Sequence, residues 1–282
     1  MSDAASDERD ALRSQVEDLR AEGDDLHRLL TTLAPEDWSR ATSFKRWTIY
    51  DVVAHLHFSD HMGATSLRGE QAFRDLMRDV ARPTSSNERR TMTQFTREWI
   101  GPVDGAALLA RWRTLFLWLC DALATCEPER RLAWAGPGMR PRMFATARQM
   151  ETWAHGSEIY DLLGARRVET DRLKNVAAIG VRTFGWTFAN RKLEAPSPPP
   201  YVRLASPSGA TWTWNDVQSD NLIDGSALEF CQVVTQVRNV ADTRLTVVGE
   251  SARRWMAIAQ CFAGPPEDPP APGSRVPVHG RR

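Results

Sequence analysis

Through roughly the first 165 residues, apolar positions recur at three- and four-residue intervals, the spacing that places them on one face of an α-helix. The pattern predicts four long helices, over 8–33, 47–82, 104–126 and 144–163. Four amphipathic helices joined by breaker-rich connections make an up-and-down bundle. The second has the sharpest start, because Thr48 can cap a helix whose Ile49, Val52, Val53 and Leu56 stand at i, i+3, i+4 and i+7. Between the third and fourth, residues 131–142 contain Gly136-Pro137-Gly138, turn chemistry that predicts a loop across one end of the bundle. It is long for such a connection, and loops of this kind often carry function.

Beyond that point the pattern changes. A helix over 171–191 leads into the Pro-rich stretch 194–200, and β-type alternation follows over 201–205 and 210–214, with Ser208-Gly209 marking a hairpin between them. A helix over 226–237, a strand over 243–248 and a helix over 251–262 complete an α+β pattern. The expected fold is therefore mainly α: a four-helix bundle over 8–165, then a smaller α+β C-terminal domain over 166–262. Residues 263–282 lack the apolar content to fold and are expected to be disordered.

Composition narrows the function without choosing it. A chain of 282 residues fits two domains, each large enough to bury a core. Charged residues make up 26%, with 36 basic against 36 acidic, so no basic footprint for nucleic acid or an anionic membrane exists. Partners are expected among small molecules, with the protein a monomer or homodimer. The N-terminal residues lack the apolar run of a signal peptide and no bilayer-spanning stretch occurs, which makes a cytoplasmic location the expectation. Cys120, Cys126, Cys231 and Cys261 lie in or beside apolar helical stretches and are read as small core residues, without disulfide or chemistry.

One constellation carries chemistry. Glu151 and His155 stand at i, i+4 and share a helix face, and His55 on the second helix could supply a third donor from across the bundle. Two histidines and a carboxylate are a donor set for one divalent metal with open positions. By itself an i, i+4 Glu/His pair is most often a solvated or hydrogen-bonded surface pair, and no HExxH or CxxC strengthens it. Helix periodicity does not choose among the three histidines of the second helix. Relative to its apolar stripe, His55 lies about 110° to one side, while His57 and His61 lie about 90° and 130° to the other. His57 and His61, themselves at i, i+4, remain an alternative half-site.

The motif Trp47-Thr-x-x-Asp51-Val-Val-Ala-His55-Leu, followed far downstream by Glu151-Thr-Trp-Ala-His155-Gly, resembles the DinB-like metal-binding superfamily, in its mycothiol-dependent maleylpyruvate isomerase branch. The resemblance implies that His55, Glu151 and His155 bind a divalent metal, zinc in type. The second half is similar to that branch's C-terminal domain through Gly209-Ala-Thr-Trp-Thr-Trp, Asp224-Gly-Ser-Ala-Leu-Glu-Phe and Val248-Gly-Glu, so the likeness spans roughly residues 10–262. Phe144-Ala-Thr-Ala-Arg148-Gln-Met-Glu and Ala259-Gln-Cys-Phe-Ala-Gly-Pro-Pro resemble a subgroup known only as metal-binding proteins. A fold and a metal triad do not fix a substrate.

The resemblance implies mycothiol, or another low-molecular-weight thiol, as a cofactor. A thiol meeting such a metal would be deprotonated near neutral pH, giving the nucleophile for thiol-assisted isomerisation or S-transfer on a small electrophilic or carboxylated metabolite. Arg238 stands in the stretch where the family's second domain presents an arginine towards the cleft, and is the expected catalytic and cofactor-binding cation. Arg148, one turn before Glu151, is expected either to assist cofactor binding or to hold the Glu151 carboxylate. Two other readings compete. One is a metal-dependent hydrolase or lyase that needs no thiol, and the other is a non-catalytic binder of small molecules or lipid through a sterol-carrier-like second domain.

Overall fold

The computed structural model describes residues 2–82 and 91–275, and its internal contacts divide the chain between Gly156 and Ser157. The first unit is helical: α1 (Ser2–Leu30), α2 (Ile49–Arg68), α3 (Glu70–Val80), α4 (Met92–Ile100), α5 (Gly105–Ala124) and α6 (Pro141–Leu163), the last running across the division. The four long ones, α1, α2, α5 and α6, form the expected bundle. Both α1 and α2 pack on α5. Side chains tie α6 to α1 through Gln15 and Gln149 at 2.7 Å, and to α2 through Arg148 and Asp60 at 2.9 Å.

α2 is the central element, and its start is heavily specified. The Thr48 side chain accepts from Asp51 N, while the Asp51 carboxylate accepts from Thr48 N at 3.0 Å and Thr48 Oγ1 at 2.7 Å, a reciprocal cap. Arg97 of α4 then donates to the other Asp51 oxygen at 2.6 Å. Behind this cap Ile49, Val52, Val53 and Leu56 are fully buried. The helix expected over 47–82 breaks at Gly69, where φ is +138°, a conformation that glycine adopts without the penalty a Cβ would bring. α3 begins on the far side of that break.

The loop expected over 131–142 closes on itself as a bridge between Leu132 and Met139. Ala133 and Trp134 pack against the apolar cluster of Phe58, Met62, Phe73 and Phe95, and Trp134 meets Phe144 edge-on at 5.0 Å. That loop therefore caps a hydrophobic cluster.

The second unit is α+β. After α7 (Leu173–Arg182) and α8 (Phe184–Asn190), four short strands form one sheet in the order β2-β1-β3-β4: β1 (Tyr201–Ala205), β2 (Thr211–Trp214), β3 (Leu222–Ser226) and β4 (Thr246–Val248). β1 and β2 are the expected hairpin, β3 runs parallel to β1, and β4 is antiparallel to β3. α9 (Ala227–Val234) follows β3 directly and packs on α7. There Gly180 allows close approach, since a Cβ would lie 2.7 Å from a Val234 methyl. α10 (Glu250–Met256) packs against β4. Among the described residues no helix is long and apolar enough to cross a membrane.

The segment expected to be disordered is, over 264–275, a strap bound to the second unit; residues 276–282 lie outside the described residues. Gln236 donates to Glu267 O at 2.8 Å, Gln260 to Pro265 O at 3.0 Å and Asn239 to Pro270 O at 2.8 Å. Arg275 reaches Glu158 at 3.1 Å and Gln236 O at 2.7 Å. Composition correctly denies this stretch a core of its own, but polar side chains of the rest of the unit satisfy its carbonyls and hold it in place.

Candidate metal centre

α2 and α6 bring the three sequence-derived donors together. His55 Nε2 lies 3.5 Å from Glu151 Oε2, and His155 Nε2 lies 3.4 Å from the same oxygen. One donor atom from each residue falls within 4.8 Å of the others, and this is the one such cluster of His, Cys, Asp and Glu among the described residues. Donors around a tetrahedral ion at bonds of about 2.0–2.1 Å stand about 3.3–3.4 Å apart, so the two histidine–carboxylate separations fit such an ion.

The electrostatics fit as well. Burial drives the His55 imidazole down to about 4, against the opposing pull of Glu151, so at neutral pH it is a neutral ring with a free lone pair available in the appropriate tautomer. Burial works to raise the Glu151 carboxyl, but hydrogen bonds from His155 and His55 outweigh it and hold the group well below its usual range. The result is a carboxylate and a neutral imidazole ready to ligate. All three side chains keep partial exposure, between 13% and 22%, so the site can be reached from solvent.

Two aromatic side chains that sequence periodicity leaves without a role cover the histidines. Trp47 stacks on His155 with ring centroids 5.8 Å apart and an interplanar angle of 10°, and it also meets His55 at 5.2 Å. Phe44 meets His155 edge-on at 5.2 Å. Phe44 lies in the connection before α2, where no periodic pattern exists to flag it, and Trp47, expected to open that helix, stands just before its cap, Thr48.

The other sequence candidates lie elsewhere. His57 and His61 turn to the opposite flank of α2 and pack on Trp99, at 5.2 and 4.7 Å, in a groove shared with Arg111 and Trp118. Arg148 does not hold Glu151. Its Nε donates to Asp60 at 2.9 Å, both side chains are 1% exposed, and Trp112 Nε1 donates to the second Asp60 oxygen at 3.0 Å. The cause is simple: a carboxylate as deeply buried as Asp60 requires a cation, whereas Glu151 is already met by two imidazoles. The remaining guanidinium nitrogens of Arg148 have no hydrogen-bond partner among the described residues. In the second unit, Arg238 is buried and forked onto Asp161, at 2.7 and 2.8 Å.

The helical bundle is that of the DinB-like class, and on facing helices it carries the two histidines and one carboxylate described above. Within it, the chain belongs to the family described as the mycothiol maleylpyruvate isomerase N-terminal domain, whose model matches residues 19–160. Two Mycobacterium tuberculosis relatives, the uncharacterized protein MT0041 of strain CDC 1551 / Oshkosh and the uncharacterized protein Rv0036c of strain ATCC 25618 / H37Rv, are each 40% identical over 251 residues. The match spans 89% of this chain and 96% of each relative. The crystal structure of the mycothiol-dependent maleylpyruvate isomerase superposes with a TM-score of 0.51 over 79% of this chain and 88% of that one, at 15% identity. That likeness is one of fold.

Proposed function

We propose that this protein is a metal-dependent enzyme of the thiol-dependent isomerase or S-transferase type, with mycothiol as the first candidate cofactor and a small electrophilic or carboxylated metabolite as substrate. The observation that carries the reading is the convergence of His55, Glu151 and His155 at metal-ligand separations. Family membership points the same way. A divalent ion such as zinc, held by these three residues, supplies the positive charge that favours the thiolate form of a bound thiol.

Three of the chain's four thiols are poor substitutes for an external one. Burial pushes Cys120 up to about 12 and Cys231 well above the usual thiol value, and Cys126 is raised as well. A thiol held neutral by burial is a weak nucleophile. Arg238 is assigned the role of meeting an anionic substrate or polar groups of the thiol cofactor, exchanging its present partner Asp161 for that group. Arg238→Ala is then expected to weaken binding of thiol or anion while metal content stays intact.

Two measurements test the reading. Metal content and metal affinity of Glu151→Gln should fall at least about tenfold, since a charged ligand becomes neutral; wild-type metal binding in that variant contradicts direct coordination. Calorimetric titration of the metal-loaded protein with mycothiol, glutathione and bacillithiol, alongside a substrate screen with and without each, addresses the thiol. Binding of one thiol together with thiol-dependent turnover supports the proposal. Metal-dependent turnover with no thiol bound replaces it with the hydrolase or lyase reading, and retention of a lipid without turnover replaces it with the binding-protein reading.

A further inference from the structure

Metal-bound histidines are normally oriented from behind, by a hydrogen bond from the ring nitrogen that does not face the metal. His55 departs from that pattern. Its Nε2 faces Glu151, and its Nδ1 is buried with no hydrogen-bond partner among the described residues. Beside Glu151, aromatic rings meet the two imidazoles. The Trp47 indole lies nearly parallel to His155 and tilted by 56° to His55, while Phe44 braces both His155 and, at 4.9 Å, Trp47 itself. The imidazoles in turn meet each other at 4.7 Å.

The backbone that delivers Trp47 is unusual. Trp47 N donates to Phe44 O at 2.8 Å, closing a four-residue turn whose central residues, Lys45 and Arg46, have φ of +49° and +59°. Two successive left-handed residues make the type I′ pattern, which favours Asn and Gly and penalises residues with larger side chains. Such strain persists only where the surroundings over-determine it. Here they do: Thr42 donates to Trp47 O twice, from its backbone N at 2.7 Å and its Oγ1 at 2.9 Å, and Ala41 pairs with Thr48. The indole is thereby held from both sides of its own residue.

We infer that Trp47 is a positioning residue of the metal centre: the strained turn 44–47 presses its indole onto His55 and His155 and fixes their ring planes, in place of an outer hydrogen bond on His55 Nδ1. The inference rests on the metal reading above and adds to it a packing device for ligand orientation.

The test measures Zn²⁺ affinity of the full chain by competition with a chromophoric chelator, and the absorption spectrum of the Co²⁺ form, whose bands report ligand geometry. Trp47→Phe keeps an aromatic face and Trp47→Leu keeps apolar volume without one. The expected result is a roughly 10–100-fold loss of Zn²⁺ affinity and an altered Co²⁺ spectrum in Trp47→Leu, with Trp47→Phe within about threefold of wild type. Wild-type affinity and spectrum in Trp47→Leu, or an equal loss in Trp47→Phe, overturns the inference. Should Trp47→Leu not fold, Thr42→Val removes one of the two bonds to Trp47 O and leaves every aromatic residue unsubstituted; by loosening the indole it is expected to shift the Co²⁺ spectrum, and an unshifted spectrum is again fatal. Failure of the wild-type chain to bind either ion sinks the metal reading itself, whereas tight wild-type binding with indifferent variants sinks only the role of Trp47.

Discussion

Arg148 and Asp60 form a charged pair sealed from water, and burial raises the Asp60 carboxyl despite the opposing pull of Arg148. Removing one partner of such a pair strands the other. Arg148→Met is expected to cost about 3–5 kcal/mol, read from urea unfolding, and adding Asp60→Asn should recover part of it by removing the uncompensated charge. The histidines set the response to acid. Burial depresses His55 and His57 to about 4, so below pH 6.5 the unfolded chain binds protons that the folded chain refuses. Stability is complete above pH 6.5 and is lost as pH falls towards 4, by up to about 3 kcal/mol for each ring. Calorimetry of the metal-free protein from pH 7 to pH 4 should show a steadily falling Tm, and a flat profile contradicts the burial assigned to these rings.

At the scale of elements, α2 is legible and its supports are not. Thr48, the apolar stripe and the capping Asp51 are local, and local signals survive in sequence. The Arg97 bond to Asp51 depends on α4, a nine-residue helix too short to stand out by periodicity. β3 was hidden for a related reason. Leu222-Ile-Asp-Gly-Ser has little β-propensity, and it is a strand because β1 and β4 flank it on both sides. Since Asp51 caps α2 and pairs with Arg97, Asp51→Ala should cost about 2–3 kcal/mol in chemical denaturation and loosen the helix start that places His55. An unchanged midpoint would mean the cap is redundant.

At the scale of the whole molecule, the two units depend on different kinds of closure. The helical unit closes on apolar faces, the kind of information a residue pattern carries. The C-terminal unit closes on its strap, through Gln236, Gln260, Asn239 and Arg275. Ending the chain at Ala263 removes the bonds that the buried Gln236, Gln260 and Glu158 make to the strap, while Gln236 keeps its bond to Ala259 O. At about 0.5–1.5 kcal/mol for each hydrogen bond lost, the truncated protein should lose about 2–4 kcal/mol, seen as a lower Tm. An unaltered Tm would show the strap to be dispensable.

The sequence by itself determined the four bundle helices, the hairpin of the second unit and, through the likeness of its Trp47–His55 and Glu151–His155 motifs to a known family, the three candidate metal donors that the structure brings together. Periodicity alone could not choose His55 over His57 and His61, because a helix shows which residues share a face but not which face meets α6. The tertiary structure decided that choice by bringing His55 Nε2 to Glu151. It also sent Arg148 to Asp60, Arg238 to Asp161, and Trp47 onto both imidazoles. Each of these depends on residues distant in the chain or on an irregular turn, and neither leaves a repeat in the sequence.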